Sequence, residues 1–228
     1  MKHKVSWFAA IPAGIGWLGG ILLYAAMLLW LPEPPVLSGL LVFLPAALLS
    51  AAAVLSEHGK LRTVGTALLS LFSIGVAAVG IPALLLFESV RTAFVPVENP
   101  ARYERILRLR GYPDDPLVAA FPPEIPAGAE EITFCYRTPL LQGGEKLTLS
   151  FTPPPGMLEE LKARCEASDT GALLPDWHLV ADTGEWGEEP DELWCFAAEP
   201  YRPGDWNHGE YSAAWVKDGR ITFRMEDW

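Results

Sequence analysis

The sequence is short of the residues that chemistry usually recruits. It holds three cysteines and four histidines in 228 residues. No CxxC pair exists, which excludes a zinc ribbon or a thioredoxin-type redox site. His3, His58, His178 and His208 form no HxH or HxxxH pair, so a metal site would need distant carboxylates to complete it. There is no GxSxG, no phosphate-cradling glycine loop with a lysine, and no Ser-x-x-Lys. No catalytic residue, metal or cofactor is therefore implied. Charge is missing over long stretches as well. None occurs from Val5 to Pro32, from Val36 to Ser56, or from Thr63 to Phe87.

Each of those runs is long enough to cross a hydrocarbon core of about 30 Å as a helix. The reading is three transmembrane helices, about 5–31, 36–56 and 63–88, within an N-terminal region 1–92. A cleaved signal peptide would explain Lys2-His3-Lys4, but its apolar core is usually about half as long as the first run. The links Glu33-Pro34-Pro35 and Glu57 to Arg62 are short, so the spans should run up, down and up. No Asp, Glu, Lys, Arg or His lies inside any of the three uncharged runs, which argues for an anchor or an association surface rather than a transport pathway. Gly16 and Gly20 form a GxxxG pair that would allow close helix approach, although small residues are common throughout this span. Pro45 and Pro82 should kink spans two and three. Trp7 and Trp30 stand near the ends of the first run, as interfacial anchors do.

Lys2, Lys4, Lys60 and Arg62 would share one face of the membrane, and the first link has no basic residue. The positive-inside rule then puts the N-terminus in the cytoplasm and whatever follows the third span outside. Arg91 and Arg102 oppose this assignment.

Residues 93–228 read as an acidic, water-soluble domain. Residues 99–228 alone hold 12 basic and 24 acidic residues. A surface that negative repels phosphate backbones, so nucleic acid is an unsuitable partner. Asn99 should cap a short helix carrying Tyr103, Ile106, Leu107 and Leu109. Asp114-Asp115-Pro116 should open another, ending at Phe121. Alternation predicts strands over Glu131–Arg137 and Lys146–Thr152, with Ile132, Phe134 and Tyr136 on one face of the first and Leu147, Leu149 and Phe151 on one face of the second. A helix is expected over Met157–Ala167 and a strand over Glu192–Ala198. Tyr211–Lys217 and Ile221–Glu226, joined by Asp218-Gly219, form the clearest hairpin signal. The fold class is thus a three-helix transmembrane anchor followed by a small α+β domain with an antiparallel sheet.

Several short motifs add to this. Phe121-Pro122-x-x-Ile125-Pro126, Phe134-x-Tyr136, Leu141-Gln142-Gly143-Gly144, Trp206-Asn207-His208-Gly209 and Glu226-Asp227-Trp228 together resemble an uncharacterised family of bacterial membrane-tethered extracytoplasmic proteins. The resemblance covers roughly Pro113 to Trp228. It implies an outward-facing α+β domain held at a membrane, and it transfers no catalytic residue. The three-span anchor departs from that family's simpler tether.

Cys135 and Cys195 fall on strand patterns and would pair if those strands were neighbours in an oxidising space. Otherwise all three thiols are small buried apolar groups. Trp206, Asn207 and His208, with Gln142, are the candidate binding residues, because polar side chains in loops can meet a ligand. The alternative is a turn with His208 packed on Trp206. Trp194 and Trp215 are assigned to the core. The acids from Asp182 to Glu192 lack the spacing of a calcium loop and read as a solvated surface. The functional expectation is a membrane-anchored domain that binds a protein or an envelope component. The alternatives are an accessory subunit of a larger membrane complex, and an enzyme using His208 with Asp205 or Asp227.

Overall fold

A computed structural model describes residues 7–139, 144–171, 190–199 and 209–227. The chain divides into two compact units, Met1–Arg91 and Thr92–Trp228.

The first unit holds three helices that are long and apolar enough to cross a membrane. Helix α1 spans Trp7–Trp30. A 3-10 segment, Ser38–Phe43, leads into α2, Leu44–Glu57. Helix α3 runs Thr63–Phe94 and contains Pro82. Pro45 does not kink a continuous helix as expected. It lies in the first turn of α2, where its missing N–H has no intrahelical partner to lose.

Gly16 and Gly20 are packing positions. A Cβ on Gly16 would lie 3.2 Å from that of Ala46, and one on Gly20 would lie 2.8 Å from Phe43 Cδ1. The Phe43 ring stacks on Trp17, with centroids 5.5 Å apart, and meets Tyr24 edge-on. Trp17 Nε1 donates to Ser50 Oγ at 3.0 Å. The GxxxG pair thus allows α1 to lie close against its own neighbouring segment.

Helix α3 exceeds the expected span and carries two charges near its end. Glu88 is 2% exposed. It accepts from Ser38 Oγ at 2.5 Å and from Arg91 Nε at 3.0 Å.

The second unit is a five-stranded antiparallel sheet with helices on one face. The strands are β1 (Glu130–Arg137), β2 (Glu145–Thr152), β3 (Glu192–Glu199), β4 (Glu210–Lys217) and β5 (Arg220–Asp227). Their order is β1-β2-β5-β4-β3. Asp218 and Gly219 join β4 to β5 with φ of +50° and +77°, the left-handed pair that a two-residue hairpin turn requires. Alternation places Phe134, Tyr136, Leu147, Leu149, Phe151, Ile221, Phe223 and Met225 on one buried face. Ile132, expected beside Phe134, stays partly exposed. Glu131 takes a positive φ, and the β1–β2 register shifts between Glu130 and Thr133, which interrupts the alternation.

Asn99 caps the segment Pro100–Arg102 through Ala101 N, at 3.1 Å. Helix α4, Tyr103–Leu109, follows and buries Tyr103, Ile106 and Leu107. Helix α5, Met157–Ser168, covers the same core with Leu161 and Cys165. The helix expected from Asp114 to Phe121 is a series of turns instead. The Asp115 side chain accepts from Leu117 N at 2.9 Å. Arg164 of α5 donates to the carbonyls of Ala119 and Phe121. Those carbonyls thus have a partner outside the segment, and a stretch closed by Pro122-Pro123 is too short to recover the cost of helix nucleation.

Candidate functional site

The sheet's second face carries the most developed polar surface among the described residues. Strand alternation that buries Leu149 and Phe223 on the helix side turns Ser150 and Thr222 the other way. Register then aligns four strands. Thr133 pairs with Ser150, Ser150 with Thr222, and Thr222 with Trp215. This row lines a groove of about 420 Å³, which Thr148, Thr152, Glu131, Lys217, Asp218 and Arg220 also border. The volume falls within the usual range for a small-ligand site, about 300–1,000 Å³.

Arg220 organises the groove. Its Nε donates to Ser150 Oγ at 2.6 Å, its Nη2 to Thr133 Oγ1 at 2.7 Å, and its Nη1 to Glu131 Oε2 at 3.5 Å. Thr222 Oγ1 donates to Ser150 Oγ at 2.8 Å. Ser150, 6% exposed, therefore accepts two hydrogen bonds, and its own O–H remains to donate. Thr148 Oγ1 is buried with no hydrogen-bond partner among the described residues. A guanidinium has more N–H groups than the three bonds use. Among the described residues the arrangement is a hydrogen-bonded set of donors and acceptors bordered by two cations, Arg220 and Lys217, and two carboxylates, Glu131 and Asp218.

A second polar cluster lies on the helix side. Tyr136 Oη donates to Glu145 Oε1 at 2.7 Å, and Arg110 Nη1 to Glu145 Oε2 at 2.8 Å. Arg110 also pairs with Asp115 at 3.2 Å. Burial pushes the Glu145 carboxyl above the ordinary carboxylate range, against the pull of Tyr136 and Arg110. Burial also raises the Tyr136 phenol, helped by the Glu145 carboxylate. Both Glu145 oxygens are engaged, so the cluster ties the end of α4 to the sheet.

The residues singled out from sequence do not enter this groove. Trp206, Asn207, His208 and Gln142 lie outside the described residues, as do His178 and Asp205. Trp194 joins the core on the helix side, whereas Trp215 is buried on the other face and forms one wall of the groove. Thr133, Thr148, Ser150, Thr222 and Arg220 were missed. Their signal was present in the polar positions between the apolar ones of three strands, a pattern that ordinary solvated faces also show.

Cys135 and Cys195 cannot pair. They occupy one cross-sheet row, Cys135-Thr148-Arg224-Ala213-Cys195, on the two edge strands. Four strand spacings separate them by about 19 Å, far beyond disulfide reach. All three cysteines are free thiols. Burial raises each of them, Cys165 to about 12. Among the described residues no group of three or more His, Cys, Asp or Glu is placed to hold a metal ion.

No family model matches the chain, and no curated protein or solved structure matches it either.

Proposed function

We propose that this chain is a membrane-anchored binding module whose sheet domain faces outward and captures a protein or envelope component in the groove around Arg220. The observation that carries the reading is the hydroxyl row fixed by Arg220, with donors on Ser150 and the guanidinium still to be used. Sites of this kind bind without transforming their ligand unless a nucleophile and base adjoin them. Among the described residues the hydrogen-bond partners of Ser150 and Thr133 are a guanidinium and another hydroxyl, neither of which takes up a proton. Outward orientation is supported by the lysines and arginine that flank the first two spans on one side.

The test is co-sedimentation of the detergent-purified full chain with isolated cell-wall material. The intact protein should sediment with it, and Ser150→Ala should reduce that several-fold. Equal sedimentation of the two forms argues against the groove as the binding surface.

A second reading, an accessory subunit of a larger membrane complex, draws on α3. Most of its apolar surface is not covered by the rest of the described residues, and Leu68, Leu71, Phe72 and Val79 are exposed. Photo-crosslinking from position 72 in cells separates the readings. Capture of a second membrane protein favours the subunit, and lipid adducts alone favour a simple anchor.

A further inference from the structure

We infer that the groove on the second sheet face is a site for a neutral, polyhydroxylated ligand, a saccharide or glycan, an assignment that rests on the groove being the binding surface proposed above. Three observations converge on that class.

The first is charge. Among the described residues, Arg220 and Lys217 are matched by Glu131 and Asp218 around one cavity. A phosphate or nucleotide site needs an excess of positive charge, and two carboxylates at the rim oppose one.

The second is hydrogen-bond capacity. Ser150 keeps an O–H to donate, Thr148 Oγ1 has no partner among the described residues, and Arg220 retains N–H donors. Glu131 Oε2 accepts from Thr152 and Arg220 at 3.3 and 3.5 Å, distances long enough for a better donor to replace them. Adjacent hydroxyls of a sugar both donate and accept, and so they complement a set that mixes both roles. A carboxylate ligand, acceptor only, would leave Glu131 facing like charge.

The third is shape. The groove's volume of about 420 Å³, bordered on one side by the largely buried Trp215, falls in the range of small-ligand sites, about 300–1,000 Å³. The Ser150 and Arg220 side chains are held by each other before any ligand arrives, which lowers the ordering cost of binding.

The experiment is ligand-observed saturation-transfer NMR on the full chain in a non-glycosidic detergent, with maltotriose and diacetylchitobiose as probes and acetate and methylphosphonate as controls. At least one saccharide should bind with a millimolar or tighter Kd, insensitive to 0.5 M salt. Thr148→Val, which keeps the side chain's shape, and Ser150→Ala should each weaken it about tenfold or more. Silence from both saccharides, or binding that Thr148→Val and Ser150→Ala leave unchanged, overturns the saccharide assignment. Salt-sensitive binding of acetate or methylphosphonate that Ser150→Ala abolishes overturns it too, but leaves the groove standing as a binding surface. Wall co-sedimentation indifferent to Ser150→Ala would instead remove the groove reading itself.

Discussion

Arg91, near the end of the third apolar helix, donates from Nη1 to Glu33 in the link between the first two, at 3.1 Å. The same guanidinium donates from Nε to Glu88, 3.0 Å away and almost fully buried. One side chain therefore joins three separate parts of the apolar unit: the first link, the end of α3 and, through Glu88, Ser38. Removing Arg91 leaves a buried carboxylate without its main counter-charge, at a cost of about 3 kcal/mol. Arg91→Ala should lower the thermal midpoint of the detergent-solubilised protein, and adding Glu88→Gln should restore much of the loss. Equal midpoints for Arg91→Ala and the parent would show that the cluster does not hold the helices.

The glycines of α1 offer an internal control. Gly16→Val must push against Ala46, whose backbone Cα would also lie only 3.5 Å from the new Cβ, whereas a methyl group at Gly14 or Gly19 would meet nothing within 4 Å. Overpacking of this kind costs about 1–3 kcal/mol. Gly16→Val should destabilise the apolar unit, and Gly14→Ala and Gly19→Ala should not. Thermal unfolding in detergent compares the three.

In the hairpin, Gly219 holds φ at +77°. A side chain there meets the left-handed penalty of about 1–2 kcal/mol. Gly219→Ala should destabilise the sheet domain by about that much in urea unfolding followed by tryptophan fluorescence.

Glu145 gives the domain a pH signature. Its carboxyl is raised in the folded state, first by burial. The folded form therefore holds the proton more tightly than the unfolded chain, whose carboxyl titrates near about 4.3. The resulting stabilisation is complete below that pH and is lost as pH rises through the higher folded value. Stability of the parent relative to Glu145→Gln should fall as pH rises above about 4. A pH-independent difference would mean that Glu145 titrates normally.

The hairpin and the Asn99 cap were legible in sequence because each depends on a few neighbouring residues. Asp218-Gly219 dictates its own turn, and Asn99 reaches only as far as Ala101. Leu147, Leu149 and Phe151 were legible through simple alternation. The turns from Asp114 to Phe121 were not, since Arg164 holds them from a distant helix. Glu88 was placed at the edge of a span, and its burial follows from Ser38 and Arg91, which sequence spacing does not bring together. The groove was hidden for the same reason. Thr133, Ser150 and Thr222 become one row only through the strand order β1-β2-β5, and that order is set by pairing rather than by any local motif.

Orientation is the most direct test of a membrane-anchored domain that works outside the cell. Alkaline phosphatase and a fluorescent protein, each fused after Trp228 in a bacterial host, report the side on which the domain lies. An outward domain gives phosphatase activity without fluorescence. Fluorescence without phosphatase activity would put the groove in the cytoplasm and contradict the envelope-binding role.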